Sequence, residues 1–587
     1  MEPINLVRKA ATPIRRKPLV VAVAGALSAL GMASSAMAFE IGTGNADLKV
    51  RWDNTFKYTA AWRLKDPDAQ VAQGPSVSMG ANPNFDSGDL NFKKGLINNR
   101  VDWLSEFDIS MNGIGARVSG AAWYDDVYHQ GTDYPANLPF PNVIAQSGFP
   151  NFLPNNKFSE DTKRMMGQKA EFLDAFVYAS GTVGEGQKLS GRAGRYSLLY
   201  GETLWMGGNG IAGVQVPINV IKALSVPNVQ FKEIGLPVGQ VSGNFQVNAN
   251  LSIGAYYQYE WRPYRLPAVG SYFSFADIVG AGANLLLVPA GAGPVNRISD
   301  LAGTDSGQYG AQVKFKLPGS EVEYGLYAAK YDDKLPILVW SPFDARGVTG
   351  SLATGGSGTY RAMYARNIKH FGASFATVVG ETNLSGEIGY KHNVPLHGTP
   401  GDLVVNGLPN ADNDSNTPYA VGNSAHATMS IIALFPATPL WAGASLVAEL
   451  GFNRLLSVTR NPVNPLTGQG VLNRTHTRDA WGTRMVFQPE YFQVLPGLDV
   501  QVPIGLGYGI SGRSAVYNFA PEHGGDLSIG LNGEYQKEWK AGLNYTHYFG
   551  SGFSIGSGGT STTPFDASYA NPLRDRDFIS FSVQRTF

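Results

Sequence analysis

The last eleven residues of the chain, 577–587, alternate between apolar and polar side chains up to the final residue. From Phe578 onward one parity is apolar apart from a single charged member, Arg585, and the other carries only hydroxyl and amide side chains after Phe578. The apolar members are Ile579, Phe581, Val583 and Phe587. A period of two over β-branched and aromatic residues predicts a β-strand with one apolar face and one polar face.

The position of this strand at the very end of the chain narrows the choice of fold. A chain that ends on an aromatic residue in such a strand resembles the closing strand of a bacterial outer-membrane β-barrel. In that class the terminal aromatic residue is part of the assembly signal, which implies this role for Phe587. The alternative is an ordinary amphipathic strand that finishes a soluble sheet.

The start of the chain has the pattern of a secretory signal peptide. A basic region with five Lys and Arg residues precedes the uncharged apolar run 19–33, and a small-x-small pattern ends at Ala38. We expect cleavage before Phe39 and exclude residues 1–38 from the fold. The alternative of a membrane anchor is disfavoured because the apolar run is short and contains Gly25 and Gly31.

Composition excludes several classes of protein. Residues 39–587 hold 41 basic and 45 acidic residues, a net charge of −4, so nucleic acid is not expected as a partner. The chain has no cysteine, which excludes a disulfide framework and thiolate metal ligands. No apolar run after residue 38 is long enough for a transmembrane helix. A membrane-spanning form of this chain must therefore be a closed barrel, since lipid leaves an open sheet edge unpaired.

Hairpin signals support a barrel. Apolar and polar residues alternate over most of 47–64 and 100–124, and Asn112-Gly113 lies between two alternating runs. A two-residue turn there places Asp108 opposite Arg117 on the polar face, an arrangement that stabilises a strand pair by about 0.2–1 kcal/mol.

A similar two-residue turn is expected at Pro318-Gly319. It predicts that Lys316 lies opposite Glu321 and that Lys314 lies opposite Glu323, again on the polar face. We interpret these charges as ion pairs that line the lumen and stiffen its wall. The alternative is that they form a substrate site.

The complete pattern predicts eighteen antiparallel strands, with sixteen as the alternative. The strands are expected near 47–64, 100–111, 114–124, 170–180, 188–198, 234–247, 251–262, 307–317, 320–332, 367–379, 384–394, 422–435, 440–455, 479–494, 498–511, 526–536, 538–549 and 577–587. Short and long connections alternate between them, as they do between the periplasmic turns and extracellular loops of transmembrane up-and-down β-barrels. Residues 39–587 are therefore predicted to form one all-β barrel domain, and two of the long loops are expected to fold inward.

Catalytic and metal-binding patterns are weak. The eight His residues are scattered, without His-Glu-x-x-His spacing, and no Gly-x-Ser-x-Gly stretch occurs. Residues 207–210 are rich in glycine, but no Lys-Ser/Thr follows them, so they are not a phosphate loop. The acid pairs 125–126 and 332–333 are interpreted as solvated loop acids rather than cation ligands. We expect no catalytic residue, cofactor or metal, and no enzyme activity.

Three charged residues near the end of one strand are further candidates for the lumen. Arg192 and Arg195 have opposite parity, so a regular strand cannot point both inward. Either the strand is bulged at Gly194, or one Arg lies beyond the membrane band. Together with Glu202 they form either an ion pair that holds the following loop against the wall or a polar constriction.

Residues 191–195, followed by 200–203, resemble the DUF1302 family of Gram-negative outer-membrane proteins. The similarity covers nearly all of residues 39–587 and is carried further by 231–233, 237–240, 259–261, 270–273, Asp277, 305–310, 366–368 and 573–578. The resemblance implies an outer-membrane barrel of unsettled function, and the family pattern assigns no catalytic residue. Members accompany a second envelope protein and an RND-type transporter, which implies export or import of a hydrophobic compound.

From these observations we expect a barrel in the cell outer membrane that acts as a channel or transport pore for a small, hydrophobic molecule. Its partners would be outer-membrane lipid, the barrel assembly machinery and, by family resemblance only, an RND-type transporter with its companion envelope protein. One alternative is a structural or adhesive barrel that binds a partner through its long loops. A further alternative is a barrel enzyme such as a lipase.

Overall fold

The structure of the protein is a computed structural model. It describes residues 39–68, 71, 87–134, 157–184, 186–287, 294–341, 358–396, 403–406, 408, 410–464, 468–473, 476–517, 519–552 and 571–587. The predicted signal peptide, residues 1–38, lies outside the described residues.

Eighteen strands form one closed antiparallel β-barrel, as predicted from the alternation pattern. Numbered in chain order, they are β1 Leu48–Arg63, β2 Gly95–Met111, β3 Ile114–Asp125, β4 Gln168–Val183, β5 Gln187–Tyr196, β6 Val238–Asn248, β7 Leu251–Gln258, β8 Gln308–Lys316, β9 Glu323–Tyr331, β10 Ile368–Val379, β11 Thr382–Pro395, β12 Val421–Phe435, β13 Gly443–Arg460, β14 Asp479–Leu495, β15 Leu498–Gln501 with Ile504–Ser511, β16 Gly525–Tyr535, β17 Trp539–Phe549 and β18 Phe578–Thr586. Each strand pairs with the next, and β15 is interrupted at Pro503, which has no N–H to donate.

The last strand closes the barrel against the first. β18 pairs with β1 from Thr55 opposite Thr586 to Arg63 opposite Phe578. Beyond this ladder, the Phe587 N–H donates to the Asn54 carbonyl at 2.9 Å and the Asn54 N–H donates to the Phe587 carbonyl at 2.7 Å. The final residue therefore takes part in the closure that removes the sheet's free edges.

The wall of the barrel is apolar outside and polar inside. Large apolar side chains such as Val101, Trp103 and Leu326 are exposed on the outer face, whereas charged side chains such as Glu387 and Glu449 are buried on the inner face. This inverted distribution is the one that a lipid-facing barrel requires. No described helix is long and apolar enough to cross a membrane.

The connections differ in length between the two ends of the barrel. The short connections lie at one end and the long ones at the other, as predicted. The turn at Asn112-Gly113 has positive φ at both residues, which a type I′ turn needs, and Asp108 lies opposite Arg117 as expected.

The hairpin at Pro318-Gly319 differs from the prediction by two residues. Lys316 lies opposite Glu323, and Lys314 lies opposite Gly325. A type I′ or II′ turn needs positive φ at its first central residue, and the proline ring holds φ near −65°. The chain instead turns with Gly319 at φ 76° and with the Ser320 N–H donating to the Leu317 carbonyl at 3.0 Å. A shift of two residues leaves each side chain on its predicted face.

The long connections contain short elements of their own. Five strands from the connections after β7, β9 and β11 form a separate small sheet: Leu285–Leu287, Pro294–Arg297, Ile337–Ser341, Thr359–Met363 and Leu403–Val405. The described helical segments are Ser87–Leu90, Asp126–His129, Glu160–Thr162, Lys163–Gly167, Gly207–Asn209, Ala212–Gln215, Val220–Ser225 and Phe231–Ile234.

Candidate functional site

The connection between β5 and β6, residues 197–237, enters the lumen and reaches the opposite wall. We call it the crossing segment. Its hydrogen bonds extend to β11, β13 and β16, and β13 lies eight strands away from β5 around a ring of eighteen. The segment therefore divides the cross-section of the lumen.

Glu449 of β13 fixes the first contact of the crossing segment with the opposite wall. Its carboxylate accepts hydrogen bonds from the backbone N–H groups of Leu204 at 3.0 Å, Trp205 at 2.7 Å and Met206 at 2.8 Å. The Ser430 hydroxyl donates a fourth bond at 3.2 Å. Glu449 is only 1% exposed, so these donors replace the water that a buried carboxylate has lost.

Glu387 of β11 fixes the second contact. It accepts from the N–H groups of Glu202 at 3.2 Å and Ile211 at 2.6 Å. A Cβ at Gly201, where φ is 89°, or at Gly210 would lie about 2.5 Å or less from the carboxylate oxygens. Only glycine lets the backbone approach this closely.

The glycine-rich stretch between these contacts is held by polar side chains of the wall. The Lys391 ammonium donates to the Gly208 carbonyl at 2.6 Å. The Asn209 amide donates to the Ala427 carbonyl at 3.0 Å, and its oxygen lies 2.8 Å from His426 Nδ1. Residues 207–210 are thus a docking loop for the barrel wall.

The rest of the crossing segment packs on itself and on other strands. Ala212, Val216, Phe231 and Ile234 form an apolar cluster within it. The Lys334 ammonium, just after β9, donates to the Val214 carbonyl at 3.0 Å, and burial lowers the pKa of Lys334 to about 8. The Asn228 amide donates to Ser528 of β16 at 3.0 Å.

A second connection crosses the barrel at the end with the long connections. We call residues 259–284, which follow β7, the mouth segment. Its Tyr272 ring lies near two guanidinium groups of β1 and the β17–β18 connection, at 5.7 Å from Arg63 and 5.9 Å from Arg576. Arg576 also donates to the carbonyl groups of Tyr272 and Ser274.

Buried charges hold together the part of the barrel on which the mouth segment docks. Arg63 donates to Asp89 at 2.6 Å and lies 3.2 Å from Asp575, and Arg576 lies 3.5 Å from Asp89. Three of these side chains are fully buried, and burial raises the pKa of Asp575. Residues 573–578, noted in the sequence for family resemblance, thus lie where three long connections meet.

A row of charged and aromatic side chains lines the lumen beside the crossing segment. Lys57, Asp102, Trp123 and Lys169 occupy directly paired positions on β1, β2, β3 and β4. Three cations surround the Trp123 ring at 4.7 Å for Arg100, 5.9 Å for Lys169 and 6.0 Å for Arg265. These distances are those of cation–π contacts.

Of the lysine and glutamate residues predicted for the β8–β9 hairpin, Lys314 meets the crossing segment. The Lys314 ammonium lies 2.9 Å from Glu323 and 3.1 Å from Glu202, so it joins the wall to the segment. Lys316 lies opposite Glu323, whereas Glu321 precedes β9 and is exposed.

The other predicted charges have different partners from those expected. Arg117 pairs with Glu106 and lies 3.9 Å from Asp174, although it is opposite Asp108. Asp108 accepts from the Tyr178 hydroxyl at 3.1 Å.

The two arginines of β5 lie on opposite faces. Arg192 faces the lumen at 5.7 Å from the Phe176 ring. The ladder is unbroken through Gly194, so the strand is not bulged there. Arg195 lies on the outer face at the strand's end, where it donates to Glu260 at 3.1 Å, and it is therefore not a lumen residue.

Sequence reasoning missed the main anchors of the crossing segment, Glu387, Glu449, Lys391 and His426. Their contacts join residues about two hundred positions apart, which no local spacing reveals. A charged residue on the polar parity of a strand was the only available signal. Within the described residues no group of three or more His, Asp or Glu side chains is placed to hold a metal ion.

Comparisons with known proteins place the chain in a family without an assigned function. Residues 19–587 match the model of DUF1302, described as a protein of unknown function. A search of curated proteins gives no match.

Solved structures with some likeness are OccAB4 of Acinetobacter baumannii (10% identity, TM-score 0.39, 92% of this chain and 98% of that one) and OpdK of Pseudomonas aeruginosa with vanillate (9%, 0.37, 91% and 98%). These low scores identify no relative from which a function could be transferred.

Proposed function

Since the chain belongs to the DUF1302 family, whose description assigns no function, we propose from the barrel itself that the protein is an outer-membrane channel for a small, hydrophobic molecule. The apolar outer face supports a place in a membrane, and closure of the sheet by β18 leaves no unpaired edge in lipid. The long connections face outward in this proposal, and the short turns face the periplasm.

The observation that carries the proposal is the crossing segment. Glu387 and Glu449 bind its backbone from the far wall, so the segment narrows the lumen at a defined position. A solute must pass beside it, which limits the size of what can cross. A lumen without such a segment would discriminate less between small solutes.

The lining beside the crossing segment supports a hydrophobic substrate. Trp123, Phe176 and Tyr178 are half-buried on the inner side of β3 and β4. Neighbouring charges are paired with each other, as in the bidentate contact of Arg265 with Glu171 at 2.7 and 2.6 Å. Pairing lowers the net charge that this part of the lumen presents, so the aromatic side chains contribute more to the contact with an apolar molecule.

Conductance in planar bilayers tests the proposal. We expect the wild-type barrel to conduct weakly and the Glu387→Ala/Glu449→Ala variant to conduct several times more, because the crossing segment loses five hydrogen-bonded anchor points. Glu106→Ala is the matched control, since Glu106 pairs with Arg117 of the wall instead of the segment. Vesicle uptake of small apolar solutes by the wild type completes the test.

A silent wild type together with a silent double variant, both correctly assembled, would contradict a channel. The separate small sheet would then favour the alternative of a surface barrel that binds a partner through its loops. That sheet joins connections after β7, β9 and β11 into one surface.

A further inference from the structure

Three basic side chains lie side by side on the outside of the barrel. Lys330 of β9 is directly opposite Lys369 of β10, and Lys369 is directly opposite His392 of β11. We call these three residues the basic row. They lie within a few residues of the ends of their strands, on the side of the long connections.

The side chains of the basic row point away from the lumen. Lys330 shares its parity with Leu326, which is 51% exposed, and Lys369 shares its parity with Phe371, which is also 51% exposed. The intervening residue His370 is fully buried on the inner face. The basic row is therefore on the lipid-facing wall.

The two lysines have no anionic partner in the protein. Within the described part of the chain, no carboxylate lies within 4.0 Å of the Lys330 or Lys369 ammonium. Like charges directly opposite each other destabilise a sheet. Other cations on the outer face near this end do have partners, since Arg195 pairs with Glu260 and Arg454 lies 3.5 Å from Asp479. An anion from outside the chain would therefore reduce the electrostatic repulsion within the basic row.

The wall below the basic row changes from aromatic to aliphatic. Phe371 and Tyr390 lie directly opposite each other, one step closer to the barrel's middle than Lys369 and His392. Leu326 and Ile388 follow deeper on the same faces, and both are exposed. Cations above aromatic rings and aliphatic side chains match a lipid with phosphate groups at its head and acyl chains beneath.

We propose that the basic row binds a phosphorylated glycolipid of the outer leaflet, with phosphate oxygens on Lys330 and Lys369 and acyl chains on the wall below. The doubly phosphorylated lipid A portion of lipopolysaccharide has this chemistry. The negative charge of the phosphates offsets the repulsion between the two ammonium groups. The phosphate oxygens accept charge-assisted hydrogen bonds from them. The inference rests on the proposed outer-membrane location and on the long connections facing outward.

Removal of the two lysines tests the site. Each cation near an anionic lipid surface contributes about 1 kcal/mol, so Lys330→Gln/Lys369→Gln should bind lipid A about thirty-fold more weakly. The binding is measured by native mass spectrometry of the detergent-solubilised barrel titrated with lipid A. The matched control is Arg454→Gln, a cation of the outer face near the same end whose charge is already balanced by Asp479. Unchanged binding by the double variant, or an equal loss in the control, would overturn the proposal.

Titrations with different lipids show whether the bound phosphate belongs to a glycolipid or to a phospholipid. We expect wild-type barrels to bind lipid A and to bind dephosphorylated lipid A or phosphatidylglycerol much more weakly. Equal binding of phosphatidylglycerol would overturn the glycolipid assignment and indicate general attraction to anionic lipid. Conductance and heat-modifiability of the double variant keep this test separate from the channel proposal, because both should stay at the wild-type level if only lipid binding is lost.

Discussion

At the residue scale, the lumen is organised by carboxylates that bind backbone. Glu387 and Glu449 are nearly fully buried, and each accepts N–H groups from the crossing segment. Burying a charge costs free energy unless hydrogen bonds replace its hydration, and removing its hydrogen-bond partners leaves that cost without compensation. These two residues therefore determine the path of the segment as well as its stability.

The charged hairpin of β8 and β9 provides a test of which face is inside. Glu323→Lys places a second ammonium beside Lys314, which lies 2.9 Å from Glu323 in the wild type. We expect an assembled barrel with modestly lower thermal stability and a shift of the conductance towards anions. Leu326→Lys, on the lipid face of the same strand, should impair assembly more, because Lys at the bilayer midplane costs roughly 2–4 kcal/mol.

Heat-modifiability on gels and single-channel selectivity measure the two effects. The reverse result, with Glu323→Lys unable to assemble and Leu326→Lys harmless, would show that the faces of this hairpin are assigned the wrong way round.

At the element scale, the barrel depends on the pairing of its two ends. Deleting Phe587 removes the two backbone hydrogen bonds to Asn54 and the stacking of its ring on Phe56 at 5.7 Å. We expect less folded, heat-modifiable protein in the outer membrane, as measured by gel shift of isolated membranes. Phe587→Tyr, which keeps the ring and the backbone bonds, is the control. Normal assembly of the deletion would contradict a role for the last residue in closure.

The mouth segment should respond to pH through Asp277. This carboxyl accepts from the Ser87 N–H at 3.2 Å and hydroxyl at 2.8 Å, and burial raises its pKa to about 7. A pKa raised above the unfolded value near 4 means that the stabilisation is complete below about pH 4 and is lost as the pH rises through 7. Amide exchange in residues 270–280 should therefore be slower at pH 5 than at pH 8.

Asp277→Asn cannot titrate and should make the pH dependence of this exchange smaller, once the intrinsic pH dependence of exchange is subtracted. Asp575, whose pKa is also raised by burial, keeps its own contribution. A pH effect of unchanged size in the variant would assign the response to another group.

The strands and turns also show which sequence signals were sufficient to predict strand positions and hairpin register. The alternation of apolar and polar side chains located every barrel strand, since lipid on one side and a polar lumen on the other impose a period of two. Asn112-Gly113 predicted the correct register because both residues tolerate positive φ. Pro318-Gly319 did not, because proline excludes the tight turn that the prediction assumed. The contacts of the crossing segment were beyond prediction, since they depend on which strands face each other across the closed ring.

At the scale of the whole molecule, the alternation of short and long connections defines two unlike ends. The absence of cysteine from the chain makes the orientation easy to test with single substitutions. Gln130→Cys lies in a long connection and is exposed, whereas Leu440→Cys lies in a short connection and is 71% exposed in the wild type. On intact cells an impermeant thiol reagent should label the first and spare the second.

Labelling both in lysed membranes is the control for accessibility. Labelling of Leu440→Cys alone on intact cells would reverse the orientation and, with it, the assignment of the basic row to the outer leaflet.

The crossing segment also constrains the order in which this protein can be made. Its Glu202 and Met206 bind Glu387 and Glu449, which lie 185 and 243 residues later in the chain. The contacts of the segment need β11 and β13, and the Asn228 contact needs β16, so docking cannot be complete until all three strands are in place. Such distant contacts form late and slowly. Closure of β18 on β1 joins Thr55 to Thr586, 531 residues apart, a larger separation than that of any of these contacts. We therefore expect the crossing segment to dock before the barrel closes.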